Sequence, residues 1–323
     1  MTSASASALL ADIGATNARF ALLEESDVVV SETYAVADHA SPVDAARVFL
    51  AGPAAGHRPD RALIAAAGPV NDGRIALTNA AWIVDPDRIA KGLGVKEVQV
   101  LNDFEALGWA LPALRPENLV MVGAPRGEER GTMAVLGPGT GFGLAASAFG
   151  RQEEIVLVTE GGHVTLSSEN RREDAIILAL RQQLHHVSVE SVLSGSGLIH
   201  LYQAIARTDG KTVPQRDNSE IIQHALAGDC AVSRETLELF CAFLGGAAGN
   251  VALTLGARGG VFVAGGIVPR FTDFLKQSAF RERFEAKGRM SDYLRRIPTA
   301  VIIHPTPAFI GLAYLADRTR TVP

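Results

Sequence analysis

The first apolar run of the chain carries a negative charge in a place where a charge is costly. The segment LLADIGATNARFALL, residues 9–23, has Asp12 among apolar residues and directly before a Gly-Ala-Thr-Asn turn. A buried carboxylate is unfavourable unless it is paired or meets a ligand. Asp12 therefore either caps its own turn or faces a ligand. In the second case it could hold Mg²⁺ through water, because this ion keeps much of its hydration in proteins.

A second glycine-rich turn, GPGTGFG at residues 137–143, also lies between two apolar runs. Backbone N–H groups in such turns can converge on phosphate oxygens, and Thr16 and Thr140 would add hydroxyl donors. Two ordinary β-hairpins with glycine turns remain the alternative. Because the two turns occur together and an acid precedes the first, the pattern favours phosphate binding.

The other common phosphate-binding loops do not fit this sequence. The pattern G-x-x-x-x-G-K-[ST] is absent, since the Gly-Lys-Thr at residues 210–212 has Ile205 in place of the first glycine. The dinucleotide pattern G-x-G-x-x-G requires a helix after its glycines, whereas the residues after 137–143 predict a strand. The two hairpin turns are therefore the candidate phosphate sites.

Asn102 and Asp103 directly follow another apolar run, VQVL at residues 98–101. Ligands of open α/β sheets bind beyond the carboxyl ends of the strands, which favours a ligand role for this pair. An Asn-Asp pair can equally cap the helix predicted after it. The residues alone leave both interpretations open.

The elements that must position these residues alternate between short β-like and helix-like runs. Ser41 and Pro42 are the expected N-cap and first residue of one helix. A second cycle begins near Gly131 with another strand-turn-strand pattern, which indicates two related halves. The predicted strands lie at 9–13, 18–23, 27–36, 62–68 and 98–103, and the predicted helices at 41–52 and 104–114.

Composition limits the function classes. A chain of 323 residues usually forms two domains, and a net charge of −5 without a basic stripe argues against nucleic acid as a partner. Cys230 and Cys241 are too few for a zinc cluster or a disulfide framework, and no signal peptide is evident, so we expect a cytoplasmic protein. The uncharged run at 239–257 approaches membrane-span length. Its glycines, Gly245 and Gly249 among them, favour a closely packed core helix and no membrane contact.

Taken together, the motifs resemble one family. The segments DIGATNARFAL, LNDFEALGWAL, GPGTGFG, EGGHV, SVESVLSGSGL and GGVFVAGGIVPRF are similar, in order and spacing, to those of the bacterial glucokinases, which are ATP-dependent members of the actin-like sugar kinases. The match spans most of the chain. Ala11 and Ala15 depart from the family pattern, which has glycine in their places, and they bear on the geometry of the first turn.

The resemblance implies an α/β fold of the actin-like ATPase (ribonuclease H-like) type, a two-domain sugar kinase with a cleft between the domains. The small domain would comprise residues 1–113 plus 304–323, and the large domain residues 114–303. Closure of the domains over the sugar would exclude water, the rival nucleophile. A homodimer is implied as well.

The resemblance also assigns roles to individual residues. Asp103 would be the general base. Without the resemblance, Glu160 and Glu190 would be read as solvated acids and His163 as a turn histidine. Gly161 and Gly162 would bring backbone close to the sugar ring. The implied sugar ligands are Asn102, Asp103, Glu160, His163 and Glu190.

ATP would bind along several glycine-rich segments, with Asp12 as the Mg²⁺ ligand. The alternative for Gly265 and Gly266 is a strand end that needs small residues for packing. The implied ATP ligands are Ala11, Asp12, Ile13, Gly14, Ala15, Thr16, Asn17, Gly139, Thr140, Gly141, Gly195, Gly265 and Gly266.

The expected activity is the ATP-dependent phosphorylation of D-glucose at its 6-hydroxyl, the first step of glycolysis, with glucose and ATP as partners. A repressor/ORF/kinase relative would carry a cysteine-rich zinc segment after the Gly-His motif, and no cysteine is near that motif here. A sugar-sensing regulator would add a helix-turn-helix module before the first hairpin. An actin-like chaperone ATPase is disfavoured by Asn102, Asp103, Glu160 and His163 together. Polyphosphate as the donor would require a basic track, which the acidic net charge disfavours.

Overall fold

A computed structural model of the chain describes residues 7–77, 80–124, 127–150 and 153–319. The chain divides into two compact units, one of residues 1–114 with 305–323 and one of residues 115–304. The strands of the described residues are β1 (Ser7–Ile13), β2 (Asn17–Glu24), β3 (Asp27–Ala35), β4 (Arg61–Ala66), β5 (Ile75–Ala76), β6 (Ile83–Val84), β7 (Glu97–Asn102), β8 (Leu119–Met121), β9 (Met133–Pro138), β10 (Phe142–Phe149), β11 (Glu154–Thr159), β12 (Gly260–Val263) and β13 (Thr299–Ile302).

Helices connect and flank these strands. Short 3₁₀ turns add to them, including one at Gly161–His163 and one at Val268–Phe271. The α-helices are α1 (Pro42–Ala51), α2 (Pro86–Leu93), α3 (Asp103–Ala110), α4 (Arg171–Arg181), α5 (Gly195–Thr208), α6 (Asn218–Ala227), α7 (Ala231–Leu255), α8 (Thr272–Gln277), α9 (Phe280–Glu285), α10 (Ser291–Arg295) and α11 (Pro307–Arg318).

The first unit is built on a five-stranded sheet in the order β3-β2-β1-β4-β7. The strands β1, β2 and β3 form an antiparallel meander, whereas β4 and β7 run parallel to β1. Apolar side chains cover both faces, with α3 and α11 contributing to one of the two cores. The register pairs Ile13 with Ala66 and Ala66 with Asn102, so the carboxyl ends of the three parallel strands lie side by side.

The second unit repeats this plan. Its sheet has the order β11-β10-β9-β12-β13-β8. The strands β9, β10 and β11 form an antiparallel meander, and β12 and β13 continue parallel to β9. The sheet topology therefore confirms the prediction of two related halves, with β8 as an added antiparallel edge strand.

The predicted elements of the first half are confirmed, with two additions. The hydroxyl of Ser41 accepts a hydrogen bond from the backbone N–H of Asp44 (3.2 Å), so it caps α1 as expected. The hairpin β5–β6 and the helix α2 were not predicted. Asp85 caps α2, Pro86 opens it and Gly94 ends it with a positive φ of 72°. These are ordinary helix-end signals, so α2 was detectable from the sequence.

The long apolar segment is a core helix, as predicted. By length and composition α7 could cross a membrane, but 67% of its most apolar window is buried inside the protein. It ends at Gly256, which adopts φ 59°. Gly245 and Gly249 allow α9 to pack closely against α7. A Cβ on Gly245 would collide with the carbonyl oxygen of Phe280, and a Cβ on Gly249 would lie 2.5 Å from the carbonyl oxygen of Phe284.

Two neighbouring glycines of α7 provide a matched test of this packing. Gly245→Ala should lower the free energy of unfolding by about 1–3 kcal/mol, because α9 must move. Gly246→Ala should instead raise it by about 0.5–1 kcal/mol, since a Cβ there meets only Glu169 Oε1, at 3.7 Å. Urea unfolding of both variants measures the difference. Equal effects of the two substitutions would contradict the packing described.

Candidate functional site

The polar candidates of the first unit lie at the carboxyl edge of its parallel strands. Asp12 is one residue before the end of β1, and Asp103 directly follows β7 as the first residue of α3. Because β1, β4 and β7 end in register, the two acids belong to the same edge of the sheet. Asp103 is also close enough for the charge of Asp12 to act on it. This is the position at which open α/β sheets bind ligands.

Asp12 does not cap the turn that follows it. The turn is closed by the backbone, since Gly14 N–H donates to the carbonyl of Asn17 (2.9 Å). The Asp12 carboxylate instead accepts a hydrogen bond from Arg19 Nη1 (3.2 Å), which faces it across the β1–β2 pair. Burial raises the pKa of Asp12, and the Arg19 guanidinium opposes that rise.

The remaining residues of the first turn can offer a ligand mainly backbone groups. The side chains of Ala11 and Ile13 point into the apolar core and are at most 1% exposed. Ala15 is not among the described residues with a positive φ, so its position does not require glycine. The departure of Ala15 from the family pattern therefore leaves the turn unstrained. Thr16 anchors the turn through its carbonyl, which accepts from Val36 N–H (2.9 Å).

Asp103 is a second carboxyl group of this edge with a raised pKa. Burial and, to a lesser extent, the negative charge of Asp12 raise its pKa to about 6. The backbone N–H of Phe104, which donates to Asp103 Oδ1 (3.0 Å), opposes the rise. The group is therefore mostly ionised at neutral pH, and its pKa lies within about one unit of that pH.

Asn102 caps α3, so the capping interpretation is confirmed for this residue. Its Oδ1 accepts from the backbone N–H groups of Phe104 (2.9 Å) and Glu105 (3.4 Å). Its Nδ2 donates to the carbonyl of Gly68 (2.9 Å). The cap and the Gly68 bond leave one amide hydrogen of Asn102 for a ligand. Gly68 was not predicted; it holds a positive φ of 139° two residues after the end of β4, and the Gly-Pro pair at 68–69 was the available signal.

The second unit brings three predicted sugar ligands together. His163 Nε2 lies 3.8 Å from Glu160 Oε2, and His163 Nδ1 lies 3.9 Å from Glu190 Oε1. Glu190 is held by the backbone N–H of Phe142, which donates to its Oε2 (2.8 Å). Side-chain exposures of 74% for Glu160 and 61% for His163 show that both are accessible to a ligand. Two carboxylates and an imidazole suit a ring of hydroxyl groups, each of which donates and accepts.

The glycine pair before His163 has a packing role that was not predicted. Gly161 and Gly162 were predicted to let backbone approach the sugar. In the structure they pack on β10, since a Cβ on Gly162 would collide with the carbonyl oxygen of Phe142, and a Cβ on Gly161 would collide with Leu144. The carbonyl of Gly162 also accepts from Glu190 N–H (2.8 Å). The pair therefore fixes His163 beside Glu190.

The predicted nucleotide segments of the second unit meet at the end of β9. The turn after β9 is closed by Gly139 N–H, which donates to the Gly141 carbonyl (2.8 Å). The N–H of Gly195, at the start of α5, donates to the Gly139 carbonyl (2.9 Å). Gly265 adopts a φ of 87° and lies so close to Pro138 that a Cβ would collide with its carbonyl oxygen. A fourteen-residue helix that begins here favours an anion at its N-terminus.

The glycine-rich turns near the end of β9 border open space and polar side chains. A Cβ built on Gly139 or Gly266 meets no heavy atom within 4 Å, so both glycines border free volume. Two polar residues were missed. Ser194 caps α5 by accepting from Gly197 N–H (3.0 Å), and Asn218 Nδ2 lies 2.9 Å from the Cβ position of Gly195. Asn218 is the first residue of α6, and the capping box of Asp217 and Glu220 marks the helix start but not a ligand role.

Asp103→Asn should make the protein more stable at neutral pH. The folded protein retains the Asp103 proton up to about pH 6, whereas the unfolded chain releases it near 3.8. The native state therefore binds more protons between these values, and stability falls as the pH rises through them. Removal of the charge should raise the free energy of unfolding at pH 8 by about 2 kcal/mol, since one pKa unit is about 1.4 kcal/mol and the carboxyl keeps some solvent contact. Urea unfolding at pH 8 and pH 4 tests this, and the variant and the native protein should converge at pH 4. An equal difference at both pH values would contradict it.

Comparison with known proteins agrees with the geometry. A glucokinase family model matches residues 9–319. A glucokinase of Paramagnetospirillum magneticum is 45% identical over 311 residues, which cover 95% of this chain and 96% of that protein. The crystal structure of a glucokinase from an Antarctic psychrotroph is 37% identical, has a TM-score of 0.91, and the match covers 97% of this chain and 99% of that one.

A more distant structure agrees in fold alone. A ROK family glucokinase from Streptomyces griseus, solved in complex with glucose and AMPPNP, is 19% identical with a TM-score of 0.64, and the match covers 97% of this chain and 99% of that one. The fold is the α/β fold of the actin-like sugar kinases, as predicted. The resemblance stated from the motifs is confirmed as well: this chain is an enzyme that belongs to the glucokinase family.

Proposed function

We propose that the chain transfers the γ-phosphoryl group of Mg²⁺-ATP to the 6-hydroxyl of D-glucose, the first step of glycolysis. We expect it to act as a homodimer in the cytoplasm. The observation that carries the proposal is the Asp103 carboxylate at the strand edge, with its pKa raised to about 6. Membership of the glucokinase family supports glucose as the acceptor.

Asp103 has the properties of a general base for this reaction. Phosphoryl transfer requires little covalent chemistry from the protein, but it requires a group that accepts the proton of the attacking hydroxyl. A base works best when its pKa lies near the working pH, because it is then both ionised and a good proton acceptor. Burial gives Asp103 this pKa. The cap made by Asn102 holds the start of α3, and with it Asp103, at the end of β7.

Each unit offers candidate groups for binding the sugar. In the second unit Glu160 and Glu190 each have a carboxylate oxygen within 4 Å of the His163 imidazole. The three side chains can accept from and donate to hydroxyl groups. In the first unit Asn102 can offer its remaining amide hydrogen. The Streptomyces griseus glucokinase, which shares the fold, was solved with glucose bound.

ATP is supported as the donor by the glycine-rich turns and by the AMPPNP in the Streptomyces griseus complex. The second unit offers the N-terminus of α5 and the turn at Gly139, Thr140 and Gly141 to phosphate oxygens. At Gly265 and Gly266 the purine would contact main-chain atoms, because glycine has no side chain. In the first unit, Gly14, Thr16 and Asn17 would contribute donors, and the buried Ala11 and Ile13 only their backbone.

Asp12 fits the role of Mg²⁺ ligand. Proteins commonly bind this ion through one or two carboxylates together with substrate phosphates and water. No group of three or more His, Cys, Asp or Glu side chains among the described residues could hold a metal without a substrate, which agrees with an ion that arrives with ATP. When bound, Mg²⁺ would neutralise charge on the phosphates. Arg19 holds the Asp12 side chain in place.

Asp103→Asn should remove turnover while it leaves sugar binding intact. The amide keeps the shape of the side chain but cannot take the hydroxyl proton, so kcat should fall by about 10²–10⁴. The dissociation constant for glucose, measured by calorimetry, should stay within about threefold. Glu105→Gln is the matched control, because Glu105 lies on the same helix and its pKa is also raised by burial. A near-normal kcat for Asp103→Asn would exclude this residue as the base.

Glu160→Gln should raise the KM for glucose by about tenfold, because charge-assisted hydrogen bonds to the sugar are lost. Steady-state kinetics with glucose, mannose and glucosamine measures this effect and the choice of hexose. Glu153→Gln, a change at an exposed acid of the same unit, should leave KM unchanged. If KM for all three sugars is unaffected by Glu160→Gln, Glu160 lies outside the sugar site.

A further inference from the structure

A second reactive environment surrounds Cys230, a residue that the kinase reaction does not use. Cys230 occupies the N-cap position of α7, a helix of 25 residues, and is partly exposed. Helix N-termini and neighbouring arginines favour the thiolate over the thiol. Both features are present at Cys230, since Arg216 lies beside the same helix end.

Arg216 links the groups around the thiol. Its Nη1 donates to the hydroxyl of Ser233 in the first turn of α7 (2.9 Å), and its guanidinium carbon lies 5.9 Å from the centre of the Tyr202 ring. Ser233 and Arg216 both stabilise the charged form of Cys230, so its pKa falls to about 7 although burial opposes this. The other charged group here is Asp229, which acts on Arg216 and pairs with His224 (2.8 Å).

The hydroxyl of Tyr202 is the observation that points to a bound atom. Tyr202 is 1% exposed, and its Oη makes no hydrogen bond of ordinary length and angle. A buried donor without a partner is costly, and few are found in proteins. The hydroxyl is adjacent to both Cys230 and Arg216. An oxygen atom attached to the Cys230 sulfur would give this donor an acceptor.

We propose that Cys230 is an oxidation site that reacts with hydroperoxides to form a sulfenate held by Arg216 and Tyr202. The thiolate sulfur attacks one oxygen of hydrogen peroxide, an S–O bond forms and the O–O bond breaks. Sulfur loses two electrons, and the other oxygen leaves as hydroxide, which takes a proton to become water. The sulfenic acid then loses its proton. The sulfenate oxygen accepts from Tyr202 and Arg216.

Cys241 serves as an internal control in the same chain. It is 0% exposed in the middle of α7, and burial raises the pKa of its thiol to about 12. A buried neutral thiol is inert towards peroxide and alkylating reagents. Site selectivity between the two cysteines can therefore be read in one sample by mass spectrometry.

The first experiment uses the native full-length chain and needs no variant. Iodoacetamide should alkylate Cys230 and spare Cys241, with a pH–rate midpoint near 7. After treatment with hydrogen peroxide, dimedone should label Cys230 as its sulfenic acid adduct. A midpoint at or above 8.5, the value of an ordinary thiol, or equal labelling of both cysteines, would overturn the proposal.

Variants separate the roles of the neighbours. Arg216→Gln should raise the alkylation midpoint and lower the rate at pH 7 by about fivefold, since a rise of one pKa unit from about 7 lowers the thiolate fraction at pH 7 from about one half to about one tenth. Arg234→Gln is the control. Arg234 also lies in the first turn of α7, but its side chain contacts Phe274 and Glu238. Tyr202→Phe should keep the alkylation rate within about threefold and lower the yield of the dimedone adduct. Identical behaviour of the Arg216 and Arg234 variants, with folding checked by circular dichroism, would refute the assignment, as would an unchanged adduct yield in Tyr202→Phe.

Discussion

The edge of the first sheet depends on one unfavourable interaction: two carboxylates, Asp12 and Asp103, are held near each other with little water around them. Burial and mutual repulsion raise the pKa of Asp103 to about 6. Arg19 compensates Asp12 directly through its hydrogen bond. Asp103 has only backbone N–H groups and the Asn102 amide to lower its pKa. A carboxylate that is buried beside another negative charge is a stronger base than one in water.

The surrounding structure must be rigid to hold that arrangement. The sheet has apolar cores on both faces, and a slip of β1 by one residue would move Asp12 to the opposite face. Asn102 joins the end of β7 to Gly68 after β4, which ties two of the three parallel strands together at the edge. The packing of α11 against α3 adds support, since a Cβ on Gly311 would collide with the carbonyl of Ala106.

The second unit uses the same sheet plan for a different purpose. Its meander and parallel strands repeat the order of the first sheet. The turn after β9, however, packs against a helix N-terminus, and its neighbour Glu190 faces His163. One supersecondary plan thus provides an acidic edge in one half, and in the other it provides backbone donors with a cluster of Glu160, His163 and Glu190.

The sequence predicted the parts that depend on local rules. Ser41 before Pro42 marked α1, and apolar alternation marked the meanders. The hairpin β5–β6 has strands of two residues each, which is too short for periodicity to reveal. The role of Gly161 and Gly162 could not be predicted, because it depends on β10, which is distant in the sequence. For the same reason, the unpartnered hydroxyl of Tyr202 beside Cys230 became evident only in three dimensions.

The central claim is that its surroundings make the Asp103 carboxyl unusually basic. A ¹³C NMR titration of the aspartate carboxyl carbons, with Asp103 assigned by comparison with the Asp103→Asn spectrum, measures this without reference to turnover. The account predicts that Asp103 titrates with a pKa of about 6, above the ordinary value of 3.8. Titration of Asp103 at or below 4 would contradict it.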